Sequence, residues 1–178
     1  MYKSVITQKI PFLDLKGQHQ QIKVKMFEAF EKVYENTSFS GGTAVEEFEN
    51  HLAQFCHTKF ALGVNSGTSA LHLAMLALKI GAGDEVILPA NTFIATAWAV
   101  SYTGATPVFV DCTPDTWQID PERIEEKISP KTKAIIGVHL FGQPFNVKAV
   151  ASLCEKFQLY MLEDAAQALG ARYNGVPV

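Results

Sequence analysis

The chain has 178 residues, 48% of them apolar, enough to enclose a sizeable core in one domain or a large piece of one. Fifteen basic against eighteen acidic residues give a net charge of -3, scattered without a basic stripe, which argues against nucleic acid as a partner. Cys56, Cys112 and Cys154 lie far apart with no Cys-x-x-Cys spacing, signalling neither a disulfide framework nor a zinc site, and no metal ligand set is expected.

In chain order, the polar opening Met1 to Lys9 is unlike a signal peptide, and no apolar run reaches membrane-spanning length, so a soluble cytoplasmic protein is expected. An extended piece, Ile10-Pro11-Phe12-Leu13-Asp14-Leu15, leads into a polar helix with Ile22, Met26, Phe30 and Val33 at near-helical spacing; residues 1–37 read as an arm and packing helix. After the break Ser40-Gly41-Gly42, Val45 to Phe55 places Phe48, Leu52 and Phe55 on one helical face.

From Phe60 onward, within a body covering 38–178, short apolar runs alternate with helical patterns. Strands are predicted at Phe60 to Val64, Val86 to Leu88, Pro107 to Val110, Lys133 to Val138 and Leu159 to Leu162. Helices are predicted at Ser69 to Lys79, Phe93 to Tyr102, Pro121 to Ile128 and Val147 to Phe157, with Asp120 and Asn146 at N-caps and Pro121 at a first helical position. Strands apolar throughout, joined by helices, predict an α/β fold: a mostly parallel central sheet with helices on both faces. Ligands of such sheets gather at the carboxyl ends of the strands.

Several chemistries lack their usual supports. Gly-x-Gly-x-x-Gly, a glycine followed by lysine, His-Glu-x-x-His and Gly-x-Ser-x-Gly are all missing, which sets aside dinucleotide redox, phosphoryl transfer, zinc proteolysis and α/β-hydrolase chemistry. Of the five histidines, His139 directly follows a strand at the ligand edge and is a candidate for lining a site.

Three segments carry positive signals. At Ser66-Gly67-Thr68-Ser69 the chain turns into a helix whose first N–H groups have no intrahelical acceptor, an arrangement suited to a phosphate; simple capping by Ser66 or Thr68 is the alternative. Phe93 starts a helix after another strand and suits stacking on a planar ring, with core packing as its alternative. Asp164 closes the run Leu159 to Leu162, where a partly desolvated carboxylate needs a cation or several donors; a protonated pyridine nitrogen meets that need, and helix capping is the alternative. Gln167, three residues on, shares its side if a helical turn follows.

Asn65-Ser66-Gly67-Thr68-Ser69-Ala70-Leu71, Gly83 to Phe93, Gly104 to Asp111, Val138-His139-Leu140-Phe141-Gly142-Gln143-Pro144 and Glu163-Asp164-Ala165-Ala166-Gln167-Ala168 together resemble the successive signatures of the DegT/DnrJ/EryC1/StrS sugar aminotransferases, and Ile10 to Leu15 also fits. The resemblance implies the large domain of a fold-type I pyridoxal phosphate enzyme. Such an enzyme moves an amino group from glutamate to a nucleotide-linked keto-deoxysugar and works as a homodimer. Carried over by position, Gly67 and Thr68 hold the phosphate, Phe93 stacks on the pyridine, Asp164 pairs with its nitrogen and Gln167 bonds its hydroxyl oxygen, with Ser69 and His139 nearby.

One family part has no match. The Schiff-base lysine lies past the Asp-Ala-Ala-Gln motif in relatives, and Lys127, Lys131, Lys133, Lys148 and Lys156 stand in other contexts. The expectation is therefore the front portion of a longer enzyme, with no catalytic lysine before Val178 and no transamination by this piece alone. A family dehydratase with histidine in place of the lysine, and a non-catalytic interaction module, are the alternatives.

Overall fold

The computed structural model describes residues 11–178. The readings placed on Met1 to Lys9 and on Ile10 lie outside the described residues. The chain divides into two compact units, one ending at Phe48 and one running from Glu49 to Val178, so helix α2 contributes to both.

In the first unit, α1 spans Lys16–Glu35, as the spacing of Ile22, Met26 and Phe30 predicts. α2, Thr43–Phe55, follows the paired glycines Gly41 and Gly42, both at positive φ, where glycine turns the chain without a Cβ clash.

The second unit is built on four strands, β1 (Glu85–Pro89), β2 (Thr106–Val110), β3 (Thr132–Val138) and β4 (Tyr160–Asp164), in the spatial order β2-β1-β3-β4 and all parallel. Parallel neighbours need crossovers, and the sequence supplies a helix for each. α4 (Ala95–Tyr102) joins β1 to β2, α5 (Pro121–Ile124) lies between β2 and β3, and α6 (Val147–Phe157) joins β3 to β4.

The two faces of the sheet are read off the alternation of its side chains. Val86, Leu88, Ala134, Ile136 and Val138 point to one side, where they meet Met75 of α3 (Gly67–Ala77) and Ala97 and Val100 of α4. Ile87 and Ile135 point to the other, with Ile124 of α5, Phe145, and Val150 and Cys154 of α6. Each fully buried Ile, Leu or Val contributes roughly 1.5–3 kcal/mol relative to exposure. Helices on both faces of a parallel sheet are the architecture expected from the sequence.

The N-caps also stand as predicted: Asp120 accepts from the Glu122 N–H at 3.0 Å and Asn146 from the Ala149 N–H at 3.1 Å. Four details differ. Phe60 to Val64 forms no strand; no strand among the described residues lies beside it, the Gly63 N–H is taken by the Glu49 carboxylate at 2.7 Å, and Phe60 and Leu62 stay largely exposed. α4 starts at Ala95 rather than Phe93, after a bend. The helix predicted over Pro121 to Ile128 tightens at Glu125–Lys127 into a 3₁₀ turn. A short hairpin, β5 (Arg172–Tyr173) with β6 (Val176–Pro177), turns through Asn174 and Gly175 at φ 50° and 84°, the left-handed pair that suits Asn-Gly. No helix among the described residues is long and apolar enough to cross a membrane.

Gly137 is fixed by packing rather than by φ: a Cβ there would lie 2.1 Å from Cζ of Phe145, whose ring is fully buried. Gly137→Ala is therefore expected to cost about 2 kcal/mol, read as a lower urea midpoint; an unchanged midpoint contradicts this packing. Burial pushes the Cys154 thiol from 9.0 up to about 11. The folded state holds that proton longer than the unfolded chain, so its contribution is full below pH 9 and lost as pH rises toward 11. Cys154→Ala is expected to flatten the fall in stability across that window, measured by denaturation at stepped pH.

Candidate functional site

The order β2-β1-β3-β4 reverses direction between β1 and β3, because the chain leaves β1 toward one sheet face through α4 and leaves β3 toward the other through α6. Diverging loops open a crevice at the carboxyl ends of those strands. A cavity of about 230 Å³ lies there, walled by the start of α3 (Gly67, Thr68, Leu71), the segment after β1 (Thr92, Phe93, Ala95), the end of β3 (Val138, Leu140) and the end of β4 (Asp164, Ala166, Gln167). Two larger grooves, about 1020 and 660 Å³, run along α1, a helix with no buried residue.

The start of α3 supplies the polar end of the crevice. Ser66 is the N-cap: its Oγ accepts from the Ser69 N–H at 3.1 Å and its hydroxyl donates to Ser69 Oγ, also at 3.1 Å. Capping thus occupies Ser66 and Ser69 with each other, while Gly67 and Thr68 face the cavity. The positive end of the α3 dipole and the first-turn N–H groups are disposed toward an anion there. A Cβ at Gly67 would meet nothing within 4 Å, so its lack of a side chain leaves the approach to the helix end open.

Phe93 is not a core residue: it is 66% exposed at the cavity wall, a large ring left available to a flat partner. Asp164 lines the same cavity and is only 9% exposed. Its Oδ2 accepts from the Thr96 hydroxyl at 2.8 Å, its Oδ1 from the Ala166 N–H at 3.2 Å, and its backbone carbonyl from the His139 N–H at 3.0 Å. No Lys, Arg or His side chain among the described residues forms an ion pair with it. A buried carboxylate with neutral donors alone still lacks the counter-charge that would offset its desolvation.

Gln167 is held by the backbone. Its Oε1 accepts from the Phe141 N–H at 2.7 Å, within a 3₁₀ turn, Leu140–Gly142, where Phe141 sits at φ 58° and Gly142 at φ 84°. With the carbonyl oxygen so engaged, the amide NH₂ is the end of the side chain suited to donate to a ligand.

Five of the seven residues singled out from sequence, Gly67, Thr68, Phe93, Asp164 and Gln167, share one cavity; Ser69 and His139 do not wall it. The pleat explains His139. Val138 lines the cavity, so the next side chain turns to the opposite face, where the imidazole is fully buried, stacks on Phe145 at 4.6 Å, and bonds Glu163 Oε2 through Nε2 at 2.9 Å. Its buried Nδ1 has no hydrogen-bond partner among the described residues. Sequence reasoning missed Thr92 and Thr96, because nothing in the sequence marks the reach of Thr96 to a carboxylate 68 residues away.

The model of the DegT/DnrJ/EryC1/StrS aminotransferase family matches residues 20–178. The chain is 44% identical over 169 residues to the dTDP-3-amino-3,4,6-trideoxy-alpha-D-glucose transaminase of Streptomyces venezuelae, covering 95% of this chain and 45% of that protein. It is 42% identical to a pleiotropic regulatory protein of Geobacillus stearothermophilus, covering 93% and 45% respectively. Among solved structures it superposes with TM-score 0.93 on S. venezuelae DesV in complex with ketimine intermediate, at 44% identity over 97% of this chain and 46% of that one. With Bacillus subtilis ntda, which has cofactor PMP bound, the TM-score is 0.84 at 36% identity, over 91% of this chain and 38% of the other. The chain thus spans less than half the length of these relatives.

Gln167→Leu is expected to leave the Phe141 N–H without its acceptor and to speed amide exchange at Phe141 several-fold, matching a net hydrogen bond of about 1 kcal/mol. Exchange followed residue by residue by NMR checks this; an unchanged Phe141 rate contradicts the tether.

Proposed function

The chain belongs to the DegT/DnrJ/EryC1/StrS aminotransferase family, and on that premise we propose that it forms the cofactor-binding portion of an enzyme moving an amino group from glutamate to a keto group on a nucleotide-linked deoxysugar. Aminotransferases of this family depend on pyridoxal 5'-phosphate. The observation that carries the proposal is the buried Asp164 carboxylate, without an ion-pair partner among the described residues, in the same 230 Å³ cavity as the start of α3.

The residues fit that group end to end. The N–H groups at Gly67 and Thr68 bind the phosphate, aided by the α3 dipole, and Ser69 serves through its bond to Ser66. Phe93 covers one ring face. The Asp164 carboxylate holds a proton on the pyridine nitrogen and gains the counter-charge that its surroundings lack. The Gln167 amide donates to the ring oxygen, oriented by Phe141. Val138, Leu140, Leu71 and Ala95 keep the walls apolar and exclude water from around the charge pair. When bound, pyridoxal phosphate supplies an electron sink that takes up charge as a proton leaves the amino acid.

No lysine walls the cavity among the described residues. The covalent anchor and proton carrier of the proposed reaction is a lysine in the length of the relatives that this chain does not span, and the working form is a homodimer in the cytoplasm.

Asp164→Asn in the full-length protein is expected to lower amino transfer from glutamate to a nucleotide-linked keto-sugar on the order of 10²-fold or more, with an unchanged circular dichroism spectrum. Wild-type turnover in that variant refutes the role of Asp164.

A further inference from the structure

We propose that Thr96, with Thr92 behind it, is a positioning residue that keeps the shared proton on the cofactor's ring nitrogen rather than on Asp164. This rests on the pyridoxal phosphate reading above and adds to it a one-way chain of hydroxyl groups.

The direction of the chain follows from counting protons. An ionised carboxylate only accepts, and a threonine hydroxyl carries one proton. The 2.8 Å contact from Thr96 Oγ1 to Asp164 Oδ2 therefore uses the Thr96 proton. The 2.9 Å contact between Thr92 and Thr96 must then be donated by Thr92 into Thr96 Oγ1. Both protons point toward the carboxylate, and because Thr96 is fully buried no water competes for its hydroxyl.

Thr96 stands in the first turn of α4, where no carbonyl of its own helix lies four residues back to compete for its hydroxyl. It reaches a strand 68 residues away in sequence. Its backbone N–H bonds the Phe93 carbonyl at 3.1 Å, so one residue ties the backbone that carries the exposed ring to the carboxylate. Any rotation of the carboxylate breaks either the Thr96 bond on Oδ2 or the Ala166 bond on Oδ1.

The Thr96 hydroxyl and the Ala166 N–H both donate to the carboxylate oxygens, bonds that are strongest while the negative charge stays on Asp164. A proton placed between Asp164 and a pyridine nitrogen then stays on the nitrogen. With one donor removed, the carboxylate takes that proton and the ring becomes neutral. Hydrogen bonds made in series reinforce one another, so Thr92 adds to the effect through Thr96 alone.

The test uses the full-length protein and pyridoxamine 5'-phosphate labelled with ¹⁵N in the ring. The dissociation constant and the ring ¹⁵N resonance are measured for wild type, Thr96→Val, Thr96→Ser, Thr92→Val and Asp164→Asn. Thr96→Val is expected to bind about tenfold more weakly, the loss of one buried hydrogen bond to a charged group. Its resonance is expected to move toward the unprotonated position, while Thr96→Ser keeps both wild-type values. A protonated ring in Thr96→Val alongside a neutral ring in Asp164→Asn overturns the role of Thr96 and leaves that of Asp164 standing. Failure of the wild type to bind, or an unprotonated ring in it, overturns both. If Thr96→Val does not fold, Thr92→Val decides: a smaller shift in the same direction supports the chain of hydroxyls, and no shift overturns it.

Discussion

A carboxylate that ends the edge strand β4 and meets only neutral donors among the described residues sets the terms for the surrounding structure. Asp164 occupies the last position of β4, in register with Val138 of β3, and the ladder that places it there also buries it. Desolvation of an anion is costly, and a hydroxyl and a backbone N–H offset only part of that cost. The cavity beside it leaves room for a positive group to arrive.

The rest of the unit is arranged around that vacancy of charge. Strand order sends α4 and α6 to opposite faces, and the crevice between their loops collects the start of α3, the bend before α4 and the turn after β4. Each contributes a group of different character: N–H donors for an anion, an exposed ring for a flat surface, an amide held at fixed orientation. A phosphorylated pyridine is complementary to all of them at once, and the family to which the chain belongs uses one.

Much of this was legible because buried parallel strands read as unbroken apolar runs and their helices begin with recognisable caps such as Asp120 and Asn146. The limits have physical causes. Phe60 to Val64 has a strand's composition, but a strand needs a neighbour, and a side-chain carboxylate has taken the Gly63 N–H instead. The Arg172 to Pro177 hairpin is too short for periodicity, although Asn174-Gly175 marked its turn. His139 sits at the right edge of the sheet, yet the alternation that aims Val138 into the cavity aims His139 away, a distinction of one residue. Thr96 was invisible for another reason: within an alanine-rich helix a threonine looks like a spacer, and only the fold reveals the carboxylate that it meets.

The most direct test of the account is a crystal structure of the full-length protein grown with pyridoxal 5'-phosphate. The phosphate is predicted to lie at the start of α3 against Gly67 and Thr68, with the ring beside Phe93 and its nitrogen within hydrogen-bond reach of Asp164. A cofactor bound in the reverse orientation, or anywhere other than this cavity, contradicts it.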